Sequence, residues 1–247
     1  MILNISIARV LFALALLAAS AAFGEVDHGL FDGILKANVK DGQVNYPGVA
    51  ADKSFASYVT QLATTAAPMA KPDRLAFYMN AYNAFAIKGV LDGHSPSNTF
   101  TRYLFFKSSK YSLAGEEINL NSIEHEILRK MGEPRIHFSI VCVSSSCPKI
   151  RNDAYSAAKL EEQLEDNTRR FINDPARNRF DKQEKVAYLS QIFNWFAVDF
   201  ETSMGSVPKY LAKYVSDPDI AKELARDGYK IKYLEYSWSL NGIPPTK

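Results

Sequence analysis

"KPDRLAFYMNAYNAFAIKGVLDG", residues 71–93, decides how the rest of the chain is read. Pro72 suits a first helical turn and Gly93 the position just past the last one. Between them Leu75, Met79, Tyr82, Ala86 and Val90 recur at helical spacing, which predicts a long helix with its apolar stripe on the core. Asn80 and Asn83 sit three apart on the neighbouring stripe. A buried amide must find hydrogen-bond partners, so two of them in one aromatic helix are candidate substrate-binding residues, offering N–H donors to a substrate or a developing oxyanion.

On the N-terminal side, helices are expected over 27–37 and 51–65, with a turn and a brief extended piece in "DGQVNYPGV" between them. On the C-terminal side, "KYSLAGEEINL" alternates as a hairpin turning at Ala114-Gly115. "NSIEHEILRKMG" reads as a helix capped by Asn121 and ended by Gly132, and 136–142 as a strand. Further helices are expected at "DAYSAAKLEEQLEDNTRRFIND", "QIFNWFAVDFE", 207–215 and 217–226, with a hairpin at "NRFDKQEKVAYLS" and a last strand in "KIKYLEYSW". Hairpins without regular βαβ alternation predict the α+β class, a predominantly helical single domain around a small mixed or antiparallel sheet. Trp195, Phe196, Tyr233, Tyr236 and Trp238 are read as core in preference to the lining of a groove, which is the alternative.

The first residues bear on compartment. Arg9, the uncharged run "VLFALALLAASAAF" and small residues after it predict a signal peptide over 1–24, leaving 25–247 as one mature domain. The run is shorter than the roughly 20 residues of a membrane span. The expectation is therefore a periplasmic or secreted protein with no stable membrane anchor after cleavage. Loss of the leader removes one charge from a net +2. A near-neutral chain is not an electrostatic nucleic-acid binder.

Both cysteines of the chain lie in "HFSIVCVSSSCPKI", residues 137–150. On a pleated strand Cys142 shares a face with Phe138 and Ile140 and reads as a core thiol. Cys147 stands before Pro148, at an expected helix start with Lys149 and Arg151 nearby, surroundings that favour a thiolate. Cys147 is thus the candidate nucleophile and His137 or His125 the candidate base. Glu124 either orients that imidazole or closes a capping box with Asn121. All four histidines precede Cys147, an order unlike papain-like or transglutaminase-like enzymes. Two alternatives stay open. An exported protein with two cysteines commonly pairs them, so Cys142 and Cys147 are also a candidate disulfide. His125, His137, Cys142 and Cys147 are a conceivable metal set, although their spacing lacks the tight pattern of zinc sites. No phosphate loop, G-x-S-x-G elbow or H-E-x-x-H motif is present, and no cofactor is expected.

Several stretches together resemble one family. "RLAFYMNAYNAFAIKGVL", "LNSIEHEILR", "EPRIHFSIVCVSSSCPKIR", "RRFIND", "LSQIFNWFAVDF" and "IKYLEYSWSLN" occur in the order found in the DUF547 domain, a family of unknown function. Tyr78 stands where the family's phrase usually carries tryptophan. The resemblance implies that Asn80, Asn83, Glu124, His125, His137, Cys142 and Cys147 gather around one site, but it brings no agreed reaction. The readings carried forward are a cysteine-dependent hydrolase or transferase, a binding or scaffold module braced by a disulfide, and a metal-binding protein. For the first, the substrate is a small molecule or peptide with an amide, thioester or thiol group.

Overall fold

The helix predicted at 71–93 is the axis of the molecule. The computed structural model describes residues 25–245, so the leader expected at 1–24 lies outside the described residues. In chain order the described part runs α1 His28–Asn38, β1 Val39–Lys40, β2 Gln43–Asn45, α2 Tyr46–Ala51, α3 Lys53–Thr64, α4 Lys71–Leu91 and α5 Thr99–Tyr103. Every residue of α4 from Leu75 to Ile87 is buried. A helix apolar on all sides is a core helix, and the others pack round it.

The hairpin is β3 Tyr111–Leu113 and β4 Glu116–Ile118. Its turn falls at Ala114 (φ 53°) and Gly115 (φ 84°), as expected for a two-residue turn with both central residues left-handed. The following helix differs from expectation at its start. Asn119, not Asn121, is the cap, its Oδ1 accepting from Ser122 N at 2.8 Å. α6 Leu120–Ser122 then widens into a π-helical stretch, Ile123–Leu128, and tightens to a 3₁₀ turn before Gly132 (φ 69°) ends it. Wide turns of this kind recur at functional sites. Here one brings the sequence neighbours Glu124 and His125 to the same cavity.

The strand expected over 136–142 is not formed. Glu133 caps a 3₁₀ helix, Pro134–Phe138, and an irregular segment follows. The β-branched run is buried, but its hydrogen bonds come from a side chain instead of a neighbouring strand. Asn83 Oδ1 accepts from Val141 N (2.9 Å) and its Nδ2 donates to Ser139 O (3.0 Å). The helix start expected at Pro148 is also absent. Residues 148–156 are irregular, held at Tyr155 by Asn80, which accepts from its N–H and donates to its carbonyl, both at 2.9 Å.

The second half comprises α7 Leu160–Ile172, β5 Arg179–Asp181, β6 Val186–Leu189, α8 Ile192–Trp195, α9 Ala197–Met204, α10 Val207–Tyr214, α11 Pro218–Leu224, β7 Lys230–Tyr233 and β8 Gly242–Ile243. The α+β class holds, with three small sheets in place of one. β2 pairs antiparallel with β1 and parallel with β8, β3 with β4, and β6 antiparallel with β5 and parallel with β7. Two apolar clusters result. One surrounds α4, and the other gathers Phe138, Phe171, Phe193, Phe200 and Tyr210. Ile136 belongs to the first and Phe138 to the second, which puts His137 on the seam. Only Lys230–Tyr233 of the last predicted strand pairs as one. From residue 234 the chain becomes a strap that returns to β8 along the seam.

Candidate active site

The seam opens into a cavity of about 300 Å³ whose wall includes Glu124, His125, His137, Cys142 and Cys147. The structure therefore brings together five of the seven candidate residues. Asn80 and Asn83 are not among them. Both are buried, and their amides are occupied as two-pronged clamps on backbone, which corrects their assignment as substrate-binding groups. Asn83 acts one residue before Cys142 and fixes how the cysteine segment enters the cavity.

The cysteine loop is strained and pinned. Val143 adopts φ 58° while buried, a conformation a β-branched residue holds only when its surroundings enforce it. The enforcement comes from the strap. Asn241 N donates to Val143 O (2.9 Å), Ser145 N to Ser239 O (2.7 Å) and Ser237 N to Ser146 Oγ (2.9 Å). Arg177 adds bonds to the carbonyls of Ser145 (2.6 Å) and Cys147 (3.3 Å).

This loop reverses the expected roles of the two thiols. Both cysteines are free, with their sulfurs 2.9 Å apart, and the Cys142 N–H donates to Cys147 Sγ at 2.8 Å. Cys147 is the buried one, 4% exposed, and no helix start lies beside it. Cys142 is only partly buried, and its sulfur lies 3.0 Å from both the Ser144 and Tyr236 hydroxyls. Burial alone would raise the Cys142 thiol. Hydrogen bonds with Cys147, Ser144 and Tyr236 outweigh it and bring the thiol down to about 6. Burial, and then the bond and charge of Cys142, push Cys147 well above its ordinary range. The two thiols titrate as a coupled pair, with Cys142 the side held down and Cys147 the side pushed up.

His137 is 3% exposed and immobilised. Its ring stacks on Phe196 at 3.9 Å, and its Nε2 lies 2.7 Å from Asp199 Oδ2. Burial keeps the imidazole below its usual pKa, so it is the neutral form that donates from Nε2 to Asp199. Burial would raise Asp199, but bonds from Arg129 and His137 hold it well below the carboxylate range. Arg129 makes the two-pronged half of that arrangement, at 2.7 and 2.8 Å, and its guanidinium lies over Phe196. The carboxylate that orients His137 is therefore Asp199, not Glu124. His137 Nδ1, buried, has no hydrogen-bond partner among the described residues and faces Glu124 Oε1 at 4.0 Å.

Glu124 is not a capping residue either. Its side chain is 13% exposed and accepts from Tyr82 OH at 3.2 Å. Burial raises it to about 7 despite that bond, with the Cys142 charge adding to the rise. His125 is set apart. Its Nδ1 accepts from Arg129 at 2.9 Å, and burial together with that cation holds it neutral. With His137 on Asp199 and His125 on Arg129, no group of three or more His, Cys, Asp or Glu side chains is placed for a metal among the described residues.

The opposite wall is aromatic. Of the five aromatics assigned to the core, Trp195, Phe196, Tyr236 and Trp238 line the cavity, and Tyr233 is 38% exposed. Trp195, Tyr236 and Trp238 pack on one another at 4.7 to 6.0 Å between ring centres. Sequence reading missed Asp199, Arg129, Ser144 and Tyr82 as site residues, and for this wall it preferred the core to the groove that the structure shows. The only sequence signal for the wall was the aromatic density of 193–200 and 233–238.

Fold and site define a helix-rich α+β protein with a thiol pair and an aspartate-held imidazole in one aromatic cavity. Residues 66–172 match the family described as "Protein of unknown function, DUF547", and the chain carries a DUF547 domain over those residues. No curated protein sequence matches the chain, and no solved structure does.

Proposed function

We propose that this protein is a cysteine-dependent acyl-transfer enzyme, a hydrolase or transferase acting on an amide or thioester. The observation that carries the reading is the environment of Cys142, a partly buried residue lining an apolar cavity, its sulfur held by two hydroxyls and a second thiol. The Cys142 thiolate attacks the acyl carbonyl, with the Ser144 and Tyr236 hydroxyls the nearest donors to the oxygen that becomes negative. Glu124 in its protonated form gives its proton to the leaving group. His137, held by Asp199, then accepts through Nδ1 the proton of the water or second substrate that releases the acyl group. Cys147 assists by sharing its proton with Cys142. In this reading the leader expected over residues 1–24 carries the protein out of the cytoplasm, and the chemistry is exported with it.

The test is alkylation and turnover on thiol variants of the reduced protein. Iodoacetamide should modify one site rapidly, with a rate that rises through about pH 6. Cys142→Ala should abolish both that reaction and any turnover of activated acyl thioesters, while Cys147→Ala should leave a reactive Cys142. Rapid alkylation or unchanged turnover in Cys142→Ala sinks the proposal.

A second reading rests on the 2.9 Å between the sulfurs. At that separation two thiols close readily to a disulfide, which would make the loop a brace in a binding module. Intact mass of protein purified without reductant separates the two. A mass two hydrogens short, with no labelling until reductant is added, favours the brace.

A further inference from the structure

We infer that the cavity selects a small amphipathic anion: an apolar acyl compound whose negative group docks at Arg102 and Lys107 while its body lies on the Trp195–Tyr236–Trp238 wall. This names the substrate class of the reading above and rests on it for the reaction, though not for the binding.

Three observations carry it. The wall is apolar and deep enough to hold an acyl chain or a single ring, with Tyr103, Phe106 and Phe196 completing the aromatic lining. The mouth carries two cations. The Arg102 guanidinium lies over the Trp238 ring, 4.6 Å from its centre, is fastened through Nη2 to the Thr99 hydroxyl at 2.9 Å, and among the described residues pairs with no carboxylate. Lys107 is exposed beside the same opening and has no acidic partner among the described residues either. A guanidinium already ordered by stacking loses little freedom when it binds a carboxylate or phosphate. The third observation weighs against the opposite charge on the aromatic wall itself. Aromatic walls often hold cations, but here the arginine already covers Trp238. Glu124, the one carboxylate in the described lining, stays largely protonated below about pH 7.

The chain has two tryptophans, Trp195 and Trp238, and both stand in this wall, so tryptophan emission, excited to the red of tyrosine absorption, reports the cavity. The experiment titrates Cys142→Ala protein with 4-phenylbutyrate and with its neutral isostere 4-phenylbutyramide at low salt. The acid should bind about 10-fold more tightly than the amide, a preference of the size one charge-assisted contact gives. Arg102→Leu should remove most of the preference, Lys107 keeping the remainder, while leaving amide binding intact. Arg102→Lys should keep part of it, and far-UV circular dichroism checks that each variant folds. Equal binding of acid and amide, no fluorescence response to either, or an unchanged preference in Arg102→Leu overturns the inference. Because Cys142→Ala cannot form an acyl-enzyme, failure of the acyl-transfer chemistry would leave this binding preference standing, and the reverse also holds.

Discussion

The cavity has two walls of different origin. The thiol wall comes from residues inside the DUF547 match: Glu124, His125, His137, Cys142 and Cys147. The aromatic wall, together with Asp199, comes from the stretch after it. The thiol wall is held by side chains that grip backbone, as Asn80 and Asn83 do. The aromatic wall is held by rings packed on rings and by a strap bonded to the serine loop. In the function proposed, the first arrangement fixes atoms for chemistry, and the second offers a surface that tolerates different apolar bodies. Yet neither is complete alone, because His137 belongs to one wall and its orienting carboxylate to the other.

That dependence gives the sharpest test of the comparison. Asp199→Asn leaves the shape in place but removes the charge that holds His137 with its proton on Nε2. Turnover should fall by about 10³-fold or more, as when an orienting carboxylate is lost from a nucleophile–imidazole pair. Cys142 alkylation should be much less affected, because Asp199 is not among the groups bonded to the sulfur. If alkylation and turnover fall together, the two walls are one unit and the division fails.

Glu124→Gln probes the thiol wall through pH. With Cys142 near 6 and Glu124 near 7, turnover should rise through about pH 6 and fall through about pH 7. The glutamine variant should lose the alkaline limb and most of its rate. Stability should move the other way. Glu124 has a folded pKa raised from 4.5 to about 7, so the fold is favoured by its protonated form at low pH and loses that advantage as pH rises through 7. The cost of burying the charge at pH 8 is on the order of 3 kcal/mol. Glu124→Gln should therefore melt higher than the parent at pH 8 and close to it at pH 4. Equal melting differences at both pH values would contradict the buried, raised carboxyl.

Asn83→Ala should destabilise the fold by about 2–4 kcal/mol, because the Val141 N–H and Ser139 carbonyl lose their partner while buried. Thermal unfolding measures it. A loss near zero would mean that the cysteine segment is placed by packing alone.

What the sequence disclosed follows how local each signal is. α4 was legible because Leu75 to Val90 state their own periodicity and Pro72 and Gly93 mark its ends. The Ala114-Gly115 turn was legible for the same reason. Asn80 and Asn83 were rightly singled out as buried amides in need of partners. Their partners are backbone groups 56 to 75 residues away, so the amides looked free for substrate. Residues 136–142 looked like a strand because apolar β-branched residues look alike whether a strand or an asparagine satisfies their backbone. Cys147 was preferred over Cys142 because a helix was expected at Pro148. Without that helix the argument moves to the thiol with hydroxyl neighbours, and one of those, Tyr236, is 94 residues along the chain. Asp199 gave no signal, being one of two acids in a short helix, and it finds His137 across 62 residues.

The smallest expected effect isolates the aromatic wall. Trp195 is 47% exposed and packs mainly on Tyr236 and Trp238. Trp195→Ala removes part of a binding surface without opening a core cavity, so melting should change by less than about 1 kcal/mol equivalent. Binding of an apolar acyl ligand should weaken by roughly 5- to 10-fold, the contribution of one aromatic contact. Cys142 alkylation by iodoacetamide, a reagent too small to need the wall, should keep its rate and its pH dependence. A variant that binds the ligand normally shows that Tyr236 and Trp238 carry the wall. One whose Cys142 loses reactivity shows instead that the aromatic wall helps to hold the thiol, and the distinction between a chemical and a binding wall would have to be redrawn.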